Sequence, residues 1–381
     1  MSASIADFCW IAAAAPLICA ALIRALMPPA QRYGLVDHPG GRKKHDAPTP
    51  LVGGLAIFLT ITVAALFLRH LPGNSWSLFV ALLAITVIGV ADDRLELGHR
   101  LKFFTQFIAA LVIVSGTSVH VLHFGDMLGF GPILLGKWAY LVTAIAIIGL
   151  INAINMIDGL DGLAGMVTLL PILVFSSIAI GGNQVLLGLE MLILAGAITG
   201  FLYFNLRTPW RTRAATYLGD TGSMLLGILL AWYSIQIAGA ENGLIFPITA
   251  VWILAVPLLD MGSVMLLRML QHRSPFHADR QHMHYVLIDG GYSVGQVVAI
   301  KSLLSLVFAW GALQAQKLGV PEFVMFLGFL GLWAIYTVAL SQPDQCRRLM
   351  YRLISPKGAA TASVLPEINL PPTDNRGGAG N

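Results

Sequence analysis

The sequence predicts an all-α, polytopic membrane protein of about eleven transmembrane helices, and three observations carry that prediction. First, 57% of the 381 residues are hydrophobic and only 11% are Asp, Glu, Lys or Arg. A soluble chain carries about 25% charged residues, so this one lacks the charge to cover a water-facing surface. Second, mean hydropathy is +0.77, with the apolar residues gathered in continuous runs. Each run is close to the roughly 20 residues that a helix needs to cross about 30 Å of hydrocarbon. Barrel strands would be about half as long and would alternate. Third, Lys and Arg collect in alternate connections, as they do in cytoplasmic loops. Composition therefore excludes a soluble domain and a disordered chain, and only three cysteines exclude a disulfide-stapled secreted fold.

The runs fall near residues 8–27, 51–69, 76–91, 101–119, 137–154, 163–180, 185–204, 217–237, 244–265, 295–315 and 322–340. The first reads as a retained span rather than a cleaved signal, because Asp7 and no basic residue precedes it and Arg24 lies at its far end. With the amino terminus on the periplasmic side, one set of loops holds Arg32, Arg42, Lys43, Lys44, Arg94, Arg100, Lys102, Arg207, Arg211, Arg213, Arg268, Arg273 and Arg280. The opposite set holds only Arg69, Lys137 and Lys317. Eleven crossings then leave the carboxyl terminus in the cytoplasm, where Arg347, Arg348, Arg352 and Lys357 agree with it. The net charge of +4 thus reports topology and contact with anionic lipid, not nucleic acid. Residues 120–136 form the one long external connection and are expected to make a small hairpin. A single transmembrane domain runs to residue 345. The cytoplasmic tail 346–381 lacks bulky residues from about 358 and is expected to be disordered there.

The unusual polar chemistry lies on the cytoplasmic side, in five clusters: 37–54 (DHPGGRKKHDAPTPLVGG), 92–102 (DDRLELGHRLK), 152–165 (NAINMIDGLDGLAG), 217–223 (YLGDTGS) and 273–284 (RSPFHADRQHMH). Asp92 and Asp93 are adjacent carboxylates, whose mutual repulsion calls for a cation. Lys102, at the start of the next span, is placed to fold back beside them. Asn152, Asn155, Asp158 and Asp161 recur every third residue, so neighbours share one drifting helix face. Such groups at the edge of hydrocarbon need partners. Interhelical hydrogen bonding is the bland alternative, but it rarely needs four such groups with two interrupting glycines. Asp220 adds a carboxylate between Gly219 and Gly222. Asp and Asn together supply an oxygen ligand set suited to Mg²⁺, or alternatively Mn²⁺, completed by phosphate and water. Zinc is disfavoured, because His282 and His284 would supply only half a site. Arg273, Arg280, His282 and His284 read as a cationic wall for a diphosphate, which Arg42, Lys43, Lys44 and His45 would extend.

Taken in order over residues 8–340, these motifs resemble the polyprenyl-phosphate N-acetylhexosamine-1-phosphate transferase family, and in particular its bacterial WecA-type branch. The resemblance implies a multi-pass inner-membrane enzyme. It would transfer the sugar 1-phosphate of a UDP-N-acetylhexosamine to undecaprenyl phosphate, release UMP and leave a lipid-diphospho-sugar. It further implies Asn155 and Asp220 as Mg²⁺ ligands, Lys102 as a diphosphate contact, and Asp92 as the carboxylate that activates or positions the lipid phosphate. Asp161 and Tyr217 would meet the uracil, and Asp93, Asp158, His282 and His284 would be catalytic. Lys44, His45, Asn152, Arg273 and Arg280 complete the expected substrate-binding set. Tyr285 stands where the family commonly has a further histidine. Partners are then the lipid acceptor, the nucleotide sugar and the bilayer, with a homodimer left open. A transporter would place its charges near the bilayer midplane, and these lie at one face. A phospho-N-acetylmuramoyl-pentapeptide transferase is the nearer alternative, and the RKKH and DRQHMH forms argue against it.

Overall fold

The computed structural model describes residues 3–37, 48–239, 243–275 and 280–354. Helix α1 (Ile5–Tyr33) opens on a capping box between Ser4 and Asp7 and ends at Gly34, whose φ of 73° is left-handed. Two-residue strands β1 (Val36–Asp37) and β2 (Thr49–Pro50) pair antiparallel. There follow α2 (Gly53–Leu68), α3 (Trp76–Leu95), α4 (His99–Gly116), α5 (Ala139–Ile157), α6 (Leu163–Gly181), α7 (Val185–Asn205) and α8 (Gly219–Ala238). Between α4 and α5 the expected hairpin is present: Phe124 N–H donates to Ile133 O and Leu135 N–H to Leu122 O around a His123–Leu134 bridge.

The ninth apolar run is not one continuous helix. It breaks at Leu254 into α9 (Pro247–Ile253) and α10 (Ala255–Leu270), bent by 83°. Pro257 sits in the first turn of α10, where it has no N–H to continue the preceding helix. The chain closes with α11 (Met283–Asp289), α12 (Val294–Lys317), α13 (Glu322–Ser341) and α14 (Pro343–Ile354). Among the described residues, seven helices are long and apolar enough to cross a membrane, and the bent pair makes eight. The remaining apolar runs, α2, α3 and α4, are helical as well. The protein is therefore an all-α, multi-pass membrane protein.

Helix α8 is the axis of the bundle. It is buried almost continuously from Thr221 to Ala238 and packs against α2, α3, α5 and α6. Its small residues permit this, because helices in lipid associate through close backbone approach rather than through water exclusion. The opposite pattern marks the periphery, where Trp10, Leu66, Phe67, Ile145, Trp310 and Ile335 are exposed and face outward as lipid-contacting side chains do. Because α8 is central, its amino-terminal turn is where neighbouring helix ends meet.

Candidate active site

Three helix termini converge on the first turn of α8. The last turn of α3 supplies Asp92 and Asp93, the first turn of α4 Lys102, the last turn of α5 Asn155, and α8 itself Asp220. Lys102 Nζ lies 2.5 Å from Asp92 Oδ2 and 2.8 Å from Asp220 Oδ2. Asn155 Nδ2 donates to Asp220 Oδ1 at 2.5 Å and to Ser223 Oγ at 2.9 Å. Asp93 points the other way: its Oδ1 accepts the Asp220 N–H at 2.7 Å, and its Oδ2 accepts the Thr221 N–H at 3.2 Å and hydroxyl at 2.6 Å. It thus caps α8 by satisfying amides that have no intrahelical partner. Gly219 makes this approach feasible, with φ of +72° and no Cβ, which would lie 2.5 Å from Asp93 Oδ2.

The cluster fits a hard divalent cation. Asp92 Oδ1 is buried with no hydrogen-bond partner among the described residues, and the carboxylates of Asp92 and Asp220 share the ammonium of Lys102. The donors are oxygens, and the Asn155 amide could present its oxygen after a flip that costs no covalent change. Asp158 follows α5 at the mouth of the cluster. Solvent reaches it, but protein walls surround it. Desolvation, then the like charges of Asp220, Asp93 and Asp161, push its carboxyl to about 8, and the three like charges all act in that direction.

The second cluster forms around α11. His282 stands at its start with Nδ1 2.5 Å from Asp260 Oδ2, and the Met283 N–H reaches Asp260 Oδ1 at 3.1 Å. Tyr336 Oη donates to Asp260 Oδ1 at 2.6 Å, and Lys301 Nζ donates to Tyr336 Oη at 2.9 Å. His284 is fully buried and stacks on His282 at 5.3 Å, yet neither of its ring nitrogens has a partner among the described residues. Burial is the main reason that its imidazole titrates down near about 3. Arg280 lies 4.7 Å over the Tyr285 ring. The α5–α6 turn joins the two clusters: a Cβ on Gly159 would sit 2.6 Å from Tyr285 Oη and 2.7 Å from His284 Nε2.

Asp260, His282 and His284 offer ligand atoms within 4.8 Å of one another. They suit a metal poorly. Both Asp260 oxygens already accept hydrogen bonds, from His282, Met283 and Tyr336, whereas Asp92 leaves one oxygen open.

The other expected residues lie at varied distances from this centre. Asp161 is engaged by Arg207 Nε at 2.6 Å. Tyr217 is half-buried and tied to the first-loop strands, donating its N–H to Pro50 O at 2.9 Å and accepting from Gly53 N–H at 3.0 Å. Burial first, and then the charge of Asp161, raises its phenol. Asn152 bonds Gln106 Oε1 at 2.9 Å, making an α4–α5 link rather than joining the carboxylates. Arg273 is exposed beyond the end of α10. Lys44 and His45 lie outside the described residues. A cleft of about 260 Å³, apolar along Met166, Leu206, Val294 and Val298, opens from Asp161 and Arg207. The sequence reading missed Asp260, Lys301, Tyr336 and Gln106. Isolated acids and lysines inside apolar runs 244–265 and 295–315 were the available signal.

Residues 75–238 match the profile of glycosyl transferase family 4. The chain is 31% identical to the undecaprenyl-phosphate alpha-N-acetylglucosaminyl 1-phosphate transferase of Pasteurella multocida (strain Pm70), covering 86% of this chain and 92% of that protein. The proteins of the same name from Yersinia pestis and Escherichia coli (strain K12) are each 30% identical over 85% of this chain and 88% of theirs.

Proposed function

The chain belongs to glycosyl transferase family 4, and from that premise we propose that it transfers N-acetylglucosamine 1-phosphate from its UDP-sugar to undecaprenyl phosphate. One observation carries the reading: Lys102 bridges Asp92 and Asp220, with Asn155 on the far oxygen of Asp220. Segments far apart in sequence thereby build one anion-handling pocket at helix ends, where a lipid-borne phosphate and a water-borne nucleotide can meet. The relatives' names supply the lipid acceptor and the sugar.

In the reaction, an oxygen of the lipid phosphate attacks the phosphorus that bears the sugar. The bond from that phosphorus to the UMP oxygen breaks, and UMP leaves with the electron pair. Both reactants are anions, so positioning and charge stabilisation dominate. Lys102 offsets negative charge at the centre. Asp92 orients Lys102 and the incoming phosphate; because a phosphate monoester is largely dianionic at pH 7, no proton need be removed from it. Asp93 fixes the first turn of α8 and with it the aim of Asp220. Asp158, His282, His284, Arg280 and Arg273 flank the diphosphate, and the sequence pattern assigns Lys44 and His45 to substrate binding as well. Tyr217 and Asp161 take the uracil side, and Asn152 holds α5 in register with α4. Asp220 and Asn155 would hold Mg²⁺, or Mn²⁺ in its place, which supplies neutralisation of the diphosphate. On this reading the chain crosses the bacterial inner membrane eleven times, with the site on the cytoplasmic face.

The test is purified protein in nanodiscs, undecaprenyl phosphate and a panel of radiolabelled UDP-sugars, with and without EDTA. Labelled lipid from UDP-N-acetylglucosamine, with stoichiometric UMP and loss on chelation, is expected. Label crossing sealed vesicles with no lipid product would overturn the reading in favour of a carrier.

A further inference from the structure

Four helices contribute to a buried chain of polar groups, of which the reaction as described uses only the histidine at its end. It runs from Lys301 on α12 through Tyr336 on α13 to Asp260 on α10, and ends at His282 at the start of α11. Asp260 is 1% exposed, Lys301 2% and His282 4%. An ionised carboxylate can only accept, so the hydrogen of the Asp260–His282 bond sits on Nδ1 and the other ring nitrogen, Nε2, is left for a ligand. The Met283 N–H and the Tyr336 hydroxyl occupy the second oxygen of Asp260, so the carboxylate has little freedom to rotate.

We propose that Asp260 is a positioning residue for the transfer: it holds His282 as the Nδ1–H form with Nε2 turned to the substrate phosphates, and Tyr336 and Lys301 fix Asp260 in turn. The proposal rests on the functional reading above. Two observations favour it over a purely structural clip. Burying an ion pair is expensive, and well-packed apolar residues hold helices at least as well. The chain also ends at a histidine stacked on His284, whose ring nitrogens are buried and without a partner among the described residues, next to the Gly159 turn that carries Asp158. A carboxylate behind a functional histidine fixes both its tautomer and its direction, and loss of such a partner lowers activity about 10- to 100-fold in metal sites.

The experiment compares wild type, Asp260→Asn and Tyr336→Phe as full-length protein in nanodiscs. It reads kcat, KM for UDP-N-acetylglucosamine, thermal melting, and the ¹⁵N imidazole spectrum of histidine-labelled protein, with His282 assigned by difference against His282→Gln. For Asp260→Asn the expected result is a fall in kcat of about 10- to 100-fold, with KM near wild type, a lower melting temperature because buried Lys301 loses its counter-charge, and the His282 signal leaving the Nδ1–H form. Tyr336→Phe, nearly isosteric and with the Asp260 charge retained, should lower kcat by a smaller factor and leave the tautomer in place. Unchanged kcat in both variants, or an unchanged His282 tautomer in Asp260→Asn, overturns the proposal. So does stoichiometric Zn²⁺ binding by wild type that Asp260→Asn abolishes, since the trio would then be a metal site. If wild type makes no lipid product from any UDP-sugar, the functional reading fails instead, and the imidazole spectrum still decides whether Asp260 sets the tautomer.

Discussion

Asp92 and Asp93 are adjacent in sequence and are held by different partners: Asp92 meets the Lys102 ammonium at 2.5 Å, whereas Asp93 meets backbone and hydroxyl donors of Asp220 and Thr221. Successive residues on a helix point about 100° apart, so one carboxylate reaches the pocket while the other reaches the end of α8. Their substitutions should therefore separate. Asp92→Asn is expected to lower kcat about 100-fold, the scale of a mispositioned reactant, with melting close to wild type. Asp93→Ala should lose stability by about 0.5–2 kcal/mol, the usual range for a lost cap, and activity with it. Parallel melting curves and initial rates check both; equal melting losses in the two variants would contradict the division of labour.

Lys102 is the ammonium that Asp92 and Asp220 share. Lys102→Met leaves two close carboxylates without it, which is costly in a partly buried setting. The variant should be inactive and should melt lower than wild type. Added Mg²⁺ should then raise its melting temperature by more than it raises that of wild type, because the ion takes over the neutralisation. Equal thermal shifts in the two proteins would show that the carboxylates do not attract the ion.

Much of this centre was legible because charged groups stand out against apolar runs. Asp92, Lys102, Asn155 and Asp220 each interrupt or end a run, and a helix end is where a buried polar group finds company. The division between Asp92 and Asp93 was not legible, since it depends on the rotation of α3 against α8. Nor was the Asp260–Tyr336–Lys301 chain: Asp260 and Lys301 are each the one charged residue of their runs and Tyr336 an aromatic inside a third, and only packing of α10, α12 and α13 joins them. The bend at Leu254 left a sequence signal in Pro257, but the unbroken hydrophobicity around it reads as a single span.

His284 makes stability depend on pH in a defined direction. Its imidazole titrates near about 3 in the folded protein, mainly through burial, against an ordinary value of 6.5. Between those values the unfolded chain binds the proton more readily than the folded one. The contribution is present above pH 6.5 and is lost as pH falls toward 3, at no more than about 1.4 kcal/mol per pH unit. His284→Phe, which does not titrate, should flatten this part of the decline when melting is followed between pH 7 and 5. A slope identical to wild type would mean that the ring finds a proton acceptor on folding.

Gly159 links the two clusters by what it lacks. A Cβ there would press on Tyr285 Oη at 2.6 Å and His284 Nε2 at 2.7 Å, so Gly159→Ala must push the start of α11 away from the α5–α6 turn. The turn itself has no left-handed residue at this position to strain. The expected result is a drop in kcat of about tenfold or more, on the scale of small misplacements of functional groups, with a modest change in melting. Removing the nearer obstacle in Gly159→Ala/Tyr285→Phe should recover part of the rate, so the two substitutions will be non-additive, as contacting residues are. Strict additivity would mean that the turn and α11 do not bear on each other, and that the histidines act independently of Asp158.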